Sequence, residues 1–390
     1  DAGSSGSRIH VYTWRYSVTN EIELLEDALL KTEPGLSSFA SNLSGVPSSL
    51  GQLLDHAKHT VPARLQSSTP LFLMATAGLR SKGDSVATDI LEAASAELSR
   101  SPFLFRRDWA YVMSGEDEGI YGWIAVNYLL GALGRAATEG GTSAVIDLGG
   151  GSVQMVYEQT ASEGESSDSV AQVRFSDEPH QLRYQSHMGF GLLAAREQVM
   201  EDIALNAAPA SADEPPFPHP CYPMGHTMEF RSKRFMGVGS FVDCKALYLQ
   251  HLDKNDLLSS RRGQVALPEK IFGFSFLYDR TGAIGLLDSN MKRFGTYVMT
   301  VADISEAATG LCSSNTSTIQ ARFAEAFESE KWADFCSDVT YIATLLEHGF
   351  GIDPATEITM GNKVGNFEVV WTVGAIMAKV IEVEATRSEL

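Results

Sequence analysis

The chain has 390 residues, 44% of them hydrophobic and 20% charged, a composition typical of folded globular proteins, and its length predicts two lobes rather than one core. The formal net charge of −19 argues against a nucleic-acid partner, because nucleic-acid phosphates need a basic protein surface. It leaves a small phosphate ester open, because a metal ion and a few local donors can override a distant field.

The first predicted elements are a turn and a strand that recur later in the chain. The segments DAGSSGSRIHVYTW (1–14) and VIDLGGGSVQMVYE (145–158) each consist of an aspartate, a small-residue turn and an alternating strand. They lie ~145 residues apart, which is the scale of one domain. A turn of this kind should follow a strand, and none precedes Asp1, so we expect a processed or trimmed chain.

Helices, strands and loops follow along the rest of the chain. Helical periodicity recurs in five segments, which are 21–31, 50–59, 85–100, 120–133 and 336–348. The segment TPLFLMAT (69–76) predicts a short buried strand, and 367–375 a strand that enters a helix. Polar residues at 159–168 and prolines within 206–220 predict surface loops.

The cysteines are consistent with two disulfides. There are four, at Cys221, Cys244, Cys312 and Cys336, and they allow three pairings. The sequential pairing, first with second and third with fourth, closes two loops of similar length, each worth roughly 3 kcal/mol in loop entropy. Four free core thiols are the alternative. The sequons at Asn42 and Asn315 favour an oxidising compartment and therefore the disulfides.

The two repeated turns are suited to phosphate binding. Their small residues let successive backbone N–H groups converge on an anion, and Ser4 and Ser5 add hydroxyl donors. The aspartate before each turn can hold a hydrated divalent cation. One glycine-rich turn is common in tight hairpins, but two matching turns favour phosphate binding. A dinucleotide-binding turn is disfavoured, because a strand rather than a helix follows each turn.

Other residues with suitable chemistry lie between the repeats. Glu116, Asp117 and Glu118 precede an apolar helix. They could simply complement the helix dipole, or one of them could deprotonate a water molecule. Thr76 at a strand end can ligate metal or water, and Arg80 can neutralise a phosphate, although a capped turn explains both equally well.

Five segments, in this order, resemble the signatures of the apyrases, or ecto-nucleoside triphosphate diphosphohydrolases. They are DAGSSGSR, ATAGLR, GEDEGIYGW, VIDLGGGSVQ and YQSHMGFGLLAAR. Later pieces such as HPCYPMG and VVWTVG agree, so the resemblance covers almost the whole chain. It implies an α/β fold of two RNase-H-like, actin-like lobes with the active site in the cleft between them. We expect lobe I at 1–120, completed by 366–390, and lobe II at 121–365.

The resemblance also implies catalytic roles. Glu118 is the expected general base, because it directly precedes the family's glycine, here Gly119. Ser152, Gln154 and Thr76 are expected to position the attacking water. Nothing in the sequence resembles a covalent nucleophile beside a base, so we expect direct attack of water on the terminal phosphate.

Binding roles follow from the same resemblance. Asp1 and Asp147 are expected to hold Mg²⁺ or Ca²⁺, mostly through water. The expected phosphate-binding residues are Ser4, Ser5, Gly6, Gly149, Gly150 and Gly151. Gly6 replaces a histidine found in many cell-surface members, and glycine there is similar to the lumenal diphosphatases. Tyr341 fits an aromatic position that clamps the base, with a packed core residue as the alternative. Tyr278 fits the second position with a one-residue shift, because strict alignment places Asp279 there.

The implied function is metal-dependent hydrolysis of nucleoside tri- and/or diphosphates to monophosphate and phosphate. We expect these nucleotides, and no nucleic acid, as partners, in a secreted, cell-surface or secretory-pathway lumenal protein. No apolar run approaches the ~18 residues of a membrane span, so any membrane anchor is expected outside this sequence. One alternative is an exopolyphosphatase-like hydrolase, against which Gln154 and the cysteines argue. The other is an actin-like ATP-binding module with little turnover, against which Glu118 argues.

Overall fold

The computed structural model describes ten stretches of the chain, which are residues 1–3, 5–18, 21–134, 140–159, 170–175, 178–206, 215–260, 268–283, 295–323 and 330–388. The chain divides into two compact units. Unit 1 consists of Asp1–Ile146, Gly150–Met188 and Lys363–Leu390, and unit 2 of Asp147–Gly149 and Gly189–Asn362. These bounds differ from those expected for the two lobes, 1–120 with 366–390 and 121–365, and the lobe division remains a prediction.

Strands and helices alternate along much of the described chain, so the fold is α/β, as expected. The strands are β1 (Ser7–Tyr16), β2 (Ile22–Thr32), β3 (Leu73–Ala75), β4 (Ala110–Val112), β5 (Ala144–Leu148), β6 (Ser152–Glu158), β7 (Val170–Phe175), β8 (Glu178–Met188), β9 (Phe217–His219), β10 (Thr227–Phe230), β11 (Lys233–Gly237), β12 (Ile271–Ser275), β13 (Thr296–Thr300), β14 (Glu357–Gly361), β15 (Lys363–Val364) and β16 (Phe367–Glu368). The second repeat of the sequence therefore forms β5, a turn and β6, as predicted.

The α-helices are α1 (Val46–Thr60), α2 (Ala63–Gln66), α3 (Ala77–Arg80), α4 (Asp84–Leu98), α5 (Gly115–Leu129), α6 (Leu192–Asn206), α7 (Phe241–Lys254), α8 (Leu257–Ser260), α9 (Phe276–Thr281), α10 (Val301–Cys312), α11 (Thr316–Phe323), α12 (Phe335–Thr344) and α13 (Trp371–Ser388). A π-helical turn, Leu345–Gly349, continues α12. Four predicted helices are confirmed as α1, α4, α5 and α12. Among the helices described, none has the length and apolar character that crossing a lipid bilayer would require.

Unit 1 contains a hairpin, a parallel strand pair and a larger sheet. β1 and β2 are antiparallel, from Ser7 opposite Thr32 to Tyr16 opposite Ile22. β3 and β4 are parallel. The larger sheet has the order β5–β6–β8–β7, with β8 antiparallel to both of its neighbours.

The helix predicted over 21–31 is wrong, because this segment is strand β2. Its leucines and glutamates are good helix formers, and local propensity alone favours a helix. Pairing with β1 supplies a hydrogen-bonded partner along the whole segment, and such tertiary pairing overrides a weak local preference. Leu24 is 7% exposed and Leu25 is 47% exposed, which is the alternation of a strand with one buried face.

Helix α5 is held firmly inside unit 1. Trp123 has no exposed surface, and Asn127 exchanges two hydrogen bonds with the backbone of Ser143, at 2.7 and 3.2 Å. A Cβ atom placed on Gly374 of α13 would lie 2.0 Å from the Tyr121 carbonyl oxygen of α5. The two helices therefore approach so closely that only glycine fits at this point.

Unit 2 contains a mixed sheet and both disulfides. Its strands run in the order β13–β14–β12, with β14 parallel to β12 and antiparallel to β13. Disulfides join Cys221 to Cys244 and Cys312 to Cys336, which confirms the sequential pairing. The first reaches α7, and the second joins the end of α10 to α12.

A buried ion cluster also holds α12 in place. Asp338 has no exposed surface, and its two carboxylate oxygens lie 2.9 Å from Arg196 Nη1 and 2.8 Å from Arg280 Nε. The contact with Arg280 is an ion pair without hydrogen-bond alignment. Arg196 also lies 2.8 Å from Asp334. Because a buried carboxylate is stable only when paired, this cluster fixes α6 and α9 against α12.

Candidate active site

The three carboxylates at the start of α5 have different surroundings. Ser114 caps the helix by accepting the backbone N–H of Asp117, and its hydroxyl also lies 2.9 Å from the Asp117 carboxylate. Glu116 is half-buried at the surface. Glu118 is only 7% exposed. Helix-end chemistry therefore accounts for Asp117, but it does not explain why Glu118 is buried.

Arg80 binds the buried Glu118. This arginine ends the short helix α3, and its Nη2 donates to Glu118 Oε2 at 2.7 Å and to Ser152 Oγ at 3.1 Å. Its Nη1 donates to the Met113 carbonyl oxygen at 2.8 Å. The guanidinium and the Glu118 carboxylate therefore form a salt bridge that is largely buried. Arg80 thus joins the TAGLR segment, the acidic helix and the second small-residue turn.

A second group of polar side chains extends along β6 and β8. Gln154 Nε2 donates to Ser152 Oγ at 2.8 Å and to Ser186 Oγ at 3.2 Å, and strand register places Gln154 opposite Ser186. Gln154 Oε1 is buried and accepts no hydrogen bond from the described residues. A Cβ atom on Gly115 would lie 2.0 Å from Ser186 Oγ, so Ser186 also adjoins the start of α5.

Ser186 was missed as a site residue. It lies in the YQSHMGFGLLAAR segment that supports the apyrase resemblance, and this was the available signal. Its contact with Gln154 depends on strand register, which the sequence pattern did not define. Beside it, burial lowers the pKa of His187 to about 4, so this histidine is neutral near pH 7.

Thr76 lies beside the first small-residue turn. Its backbone N–H donates to the Ala2 carbonyl oxygen at 3.2 Å, and its own carbonyl oxygen accepts the first hydrogen bonds of α3. A Cβ atom on Gly151 would lie 2.9 Å from Ala77 Cβ, so the second turn also approaches this point. Unit 1 therefore brings Thr76, Glu118, Ser152 and Gln154 into one connected neighbourhood through Ala77 and Arg80.

The first turn is compact. The Gly3 N–H donates to the Gly6 carbonyl oxygen at 3.0 Å, and Ser5 is exposed. A Cβ atom on Gly6 would lie 2.8 Å from the Thr32 carbonyl oxygen, so a larger residue would displace the turn from β2. Ser4, also predicted to bind phosphate, lies outside the described residues. In the second turn, Gly149, Gly150 and Gly151 are all partly exposed.

The two aspartates predicted to bind metal are largely buried. Asp1 Oδ2 lies 3.0 Å from Arg8 Nη1, and Asp1 Oδ1 is buried without a hydrogen bond. A buried carboxylate oxygen of this kind fits a hard divalent cation. Asp147, near the end of β5 and in unit 2, is 5% exposed. Within the described ranges, no group of three or more His, Cys, Asp or Glu side chains converges as a metal site.

The two tyrosines predicted to bind the base lie in unit 2. Tyr341 has no exposed surface, donates its hydroxyl to the Phe190 carbonyl oxygen at 2.5 Å and packs against Tyr248, with ring centres 4.9 Å apart. This burial favours the packed-core alternative for Tyr341. Tyr278 is half-buried beside Tyr297, with ring centres 5.3 Å apart.

Solved structures share this fold. A nucleoside triphosphate hydrolase from Neospora caninum superposes with a TM-score of 0.69 at 14% identity, covering 98% of this chain and 92% of that one. A Ppx/GppA family protein from Aquifex aeolicus superposes with a TM-score of 0.56 at 13% identity, covering 97% and 95%. At such low identity these likenesses establish the fold alone.

Sequence comparison establishes the family. Guanosine-diphosphatase from Schizosaccharomyces pombe is 31% identical, over 98% of this chain and 73% of that protein. Ectonucleoside triphosphate diphosphohydrolase 5 from Gallus gallus is 32% identical, over 96% and 85%. Apyrase from Solanum tuberosum is 32% identical, over 92% and 81%. The profile of the GDA1/CD39 (nucleoside phosphatase) family matches residues 1–388. These matches confirm the resemblance to the apyrases, and the chain is an enzyme of the GDA1/CD39 nucleoside phosphatase family.

Proposed function

We propose that this enzyme hydrolyses nucleoside di- and triphosphates to monophosphate and phosphate by direct attack of water on the terminal phosphate. Glu118 is the proposed general base. The observation that carries the proposal is the buried Glu118 carboxylate, bound by Arg80 and adjoining the Ser152–Gln154 pair. A buried carboxylate held beside fixed polar groups is suited to taking a proton from a positioned water molecule.

The contacts around Glu118 suggest a separate role for each neighbouring side chain. Phosphoryl transfer needs little covalent help, so positioning and charge neutralisation supply most of the rate. Arg80 holds Glu118 through Oε2 and orients Ser152. Gln154 Oε1, which accepts no hydrogen bond from the described residues, is a suitable acceptor for the attacking water. Thr76 is proposed to help position the same attacking water.

The two small-residue turns are the proposed phosphate-binding elements. Their backbone N–H groups can neutralise phosphate oxygens without a side chain in the way. The proposed residues are Ser4, Ser5, Gly6, Gly149, Gly150 and Gly151. Since Arg80 is already bound to two side chains, we assign phosphate neutralisation to these turns rather than to Arg80.

Family membership implies dependence on a divalent metal, and Mg²⁺ or Ca²⁺ is our proposal for its identity. Asp1 and Asp147 are the proposed ligands, because carboxylate oxygens are what both ions prefer. When bound, such an ion neutralises phosphate charge and lowers the barrier to attack. Asp1 Oδ1, buried without a hydrogen bond, is the oxygen of this chain best placed for that role.

Substrate range and location are further proposals. The similarity to a guanosine-diphosphatase, together with Gly6, supports a preference for diphosphates. Tyr278 and Tyr341 remain the proposed base-binding residues. The complete burial of Tyr341 makes Tyr278 the better supported of the two. The disulfides support an oxidising compartment, so we propose a secreted, cell-surface or secretory-pathway lumenal enzyme.

The test of this proposal is Glu118→Gln. Its turnover of GDP and ATP should fall by about three orders of magnitude, because the amide keeps the shape of the side chain but cannot take a proton. Nucleotide binding, measured by calorimetry, should persist within about threefold, because the proposed phosphate and metal contacts are unchanged.

Glu116→Gln is the matched control, because Glu116 lies two residues before Glu118 in the first turn of α5 and is half-buried at the surface. It should retain at least half of the wild-type turnover. A Glu118→Gln enzyme with a tenth or more of the wild-type rate would remove Glu118 from the role of base. Polyphosphate turnover above nucleotide turnover would favour the exopolyphosphatase-like alternative.

A further inference from the structure

Strand β8 borders the candidate site but supplies none of its predicted residues. Its serine, Ser186, is half-buried, and the hydroxyl oxygen accepts a hydrogen bond from Gln154 Nε2 at 3.2 Å. The antiparallel register of β6 and β8 sets Gln154 and Ser186 directly opposite each other. Side chains in opposite positions of an antiparallel pair are close enough to interact. The contact is therefore a consequence of how the two strands pair.

Space for the Ser186 hydroxyl depends on a glycine of α5. Gly115 begins this helix, and a Cβ atom there would lie 2.0 Å from Ser186 Oγ and 2.8 Å from Ser186 Cβ. The same atom would lie 3.9 Å from Arg80 Nη2, which binds Glu118. The backbone of Gly115 is not in the left-handed region, so conformation does not call for glycine here. Its missing side chain instead allows Ser186 to approach the start of α5.

Helix α5 also packs against the stem of Gln154. A Cβ atom on Gly119 would lie 3.3 Å from Gln154 Cβ and 3.5 Å from Gln154 Cγ. Gly119 directly follows Glu118, so the side chain of Gln154 passes the helical turn that carries the proposed base. Packing thus fixes the stem of Gln154, while hydrogen bonds decide how its amide is turned.

The amide of Gln154 has two hydrogens, and two serine hydroxyls accept them. Nε2 donates to Ser152 Oγ at 2.8 Å and to Ser186 Oγ at 3.2 Å. The amide oxygen, on the other branch of the planar group, remains an acceptor. Gln154 Oε1 is buried and receives no hydrogen bond from the described residues. A buried acceptor of this kind calls for a partner outside the chain, such as an ordered water molecule.

Both serines are needed to select this orientation of the amide. As observed, both Nε2 hydrogens are bound and only Oε1 waits for a partner. A reversed amide would place two N–H groups where Oε1 now lies without an acceptor, and buried unsatisfied donors are costly. Without the Ser186 hydroxyl, one Nε2 hydrogen would lack an acceptor in the observed orientation too, so the preference for that orientation would weaken.

We propose that Ser186 is a positioning residue for hydrolysis, which keeps Gln154 Oε1 turned toward the attacking water as an acceptor. This role rests on the proposed function, in which Glu118 and Gln154 bind that water. A water whose two hydrogens are accepted, one by each side chain, keeps a lone pair free to attack phosphorus. A reversed amide would donate to that lone pair and oppose the attack.

Ser186→Ala tests this role. The kcat for GDP and ATP should fall about tenfold, because a misplaced group at the reacting centre slows the chemical step, while KM should stay within about twofold. Ser95→Ala, at a buried serine of α4, is the matched control and should keep the wild-type kcat. A raised KM with unchanged kcat would make Ser186 a substrate contact and overturn the proposal.

A double-mutant cycle tests whether Ser186 acts through Gln154. Gln154→Ala should lower kcat by about 100-fold, because the acceptor for the attacking water is lost. Adding Ser186→Ala should lower kcat by less than about twofold more, because the residue that Ser186 orients is already gone. If the losses of the two single variants multiply in the double variant, the proposal is wrong.

Hydrogen exchange of the Gln154 side-chain amide gives a readout that does not depend on turnover. In protein carrying isotopically labelled glutamine, NMR should show exchange at least about tenfold faster in Ser186→Ala than in wild type, because one hydrogen loses its acceptor. Unchanged exchange would overturn the role of Ser186 even if Glu118→Gln is inactive. An active Glu118→Gln enzyme would overturn the proposed base instead, so the two failures are distinguishable.

Discussion

Arg80 has one geometry but two conceivable roles, and its contacts distinguish them. An arginine near a phosphate site could bind the substrate directly. Here the guanidinium is 14% exposed at its side chain and bonded to Glu118, Ser152 and the Met113 carbonyl oxygen. Binding phosphate would require it to leave contacts made in a largely buried setting, where an unpaired charge is costly. Arg80 is therefore best understood as a residue that positions the base.

His219 illustrates how burial of one residue links stability to pH. Its side chain is buried, and its Nδ1 accepts the backbone N–H of Cys221 at 3.2 Å. Burial lowers the pKa of His219 from 6.5 to about 4. Between pH 4 and 6.5, His219 is therefore protonated in the unfolded chain but neutral in the folded chain. As a result, the free energy of unfolding falls as pH decreases from about 6.5 to about 4.

His219→Asn should remove part of this dependence, because the amide oxygen can still accept the Cys221 N–H but binds no proton. Between pH 4.5 and 6, the decline in the free energy of unfolding should be smaller by about 1 kcal/mol per pH unit. Urea unfolding across this range measures it. His59→Asn, at an exposed position of α1, is the control and should keep the wild-type slope. A wild-type slope in His219→Asn would contradict the assignment.

The residues of the candidate site could be predicted more readily than their contacts. Local patterns singled out Thr76 and the acidic segment 116–118, because strand ends and acidic helix starts are visible in short segments, whereas Ser152 and Gln154 were named through the resemblance to the apyrases. The choice of Glu118 rather than its neighbours came from family resemblance. The hydrogen bond between Arg80 and the buried Glu118 joins residues 38 positions apart, and no local sequence pattern encodes such a pairing.

At the scale of elements, isolated helices were easier to predict than paired strands. Helices α1, α4 and α5 carry their own amphipathic or apolar pattern. The sequence of β2 lacks a clear strand pattern of its own, because its residues favour a helix and only pairing with β1 makes the segment a strand. The structure of such a segment is decided by a neighbour, so single-segment reasoning fails there.

The close approach of α5 and α13 gives a prediction about packing. Gly374→Ala should lower the free energy of unfolding by about 2–3 kcal/mol, because the added Cβ would lie 2.0 Å from the Tyr121 carbonyl oxygen. One helix must move away, and backbone atoms yield less readily than side-chain ends. Urea unfolding monitored by circular dichroism measures the change.

Gly51→Ala is the matched control, since Gly51 lies inside α1 with no atom within 4 Å of an added Cβ. It should raise the free energy of unfolding by about 0.5–1 kcal/mol, because alanine favours helix over glycine. If both substitutions stabilise the protein equally, α5 and α13 do not pack at the distance described.

At the scale of the molecule, the chain crosses between its two units several times. Unit 1 combines residues from the start, the middle and the end of the sequence. A boundary drawn from sequence is most dependable where a long linker is visible, and here the chain crosses at the short glycine turn 147–150, after Met188 and after Asn362.

Both disulfides lie in unit 2, so the two units should respond differently to reduction. The bonds close loops with sequence separations of 23 and 24, and each such loop constrains the unfolded chain by roughly 3 kcal/mol. Reduction should therefore speed amide hydrogen exchange at least 100-fold in α7 and α10, since about 3 kcal/mol corresponds to that factor. Exchange in α5 and β6 of unit 1 should change less than threefold.

Two double variants separate the contributions. Cys221→Ser with Cys244→Ser should destabilise α7, and Cys312→Ser with Cys336→Ser should destabilise α10, each by roughly 3 kcal/mol. Neither should alter α5. Exchange by mass spectrometry, with thiol titration to confirm the redox state, reads out all four elements at once. If reduction accelerated exchange in α5 as strongly as in α7, the two units would unfold as one cooperative body, and the expected local effect of the disulfides would be wrong. Acceleration confined to unit 2 would establish that its stability is maintained by covalent bonds that unit 1 does without.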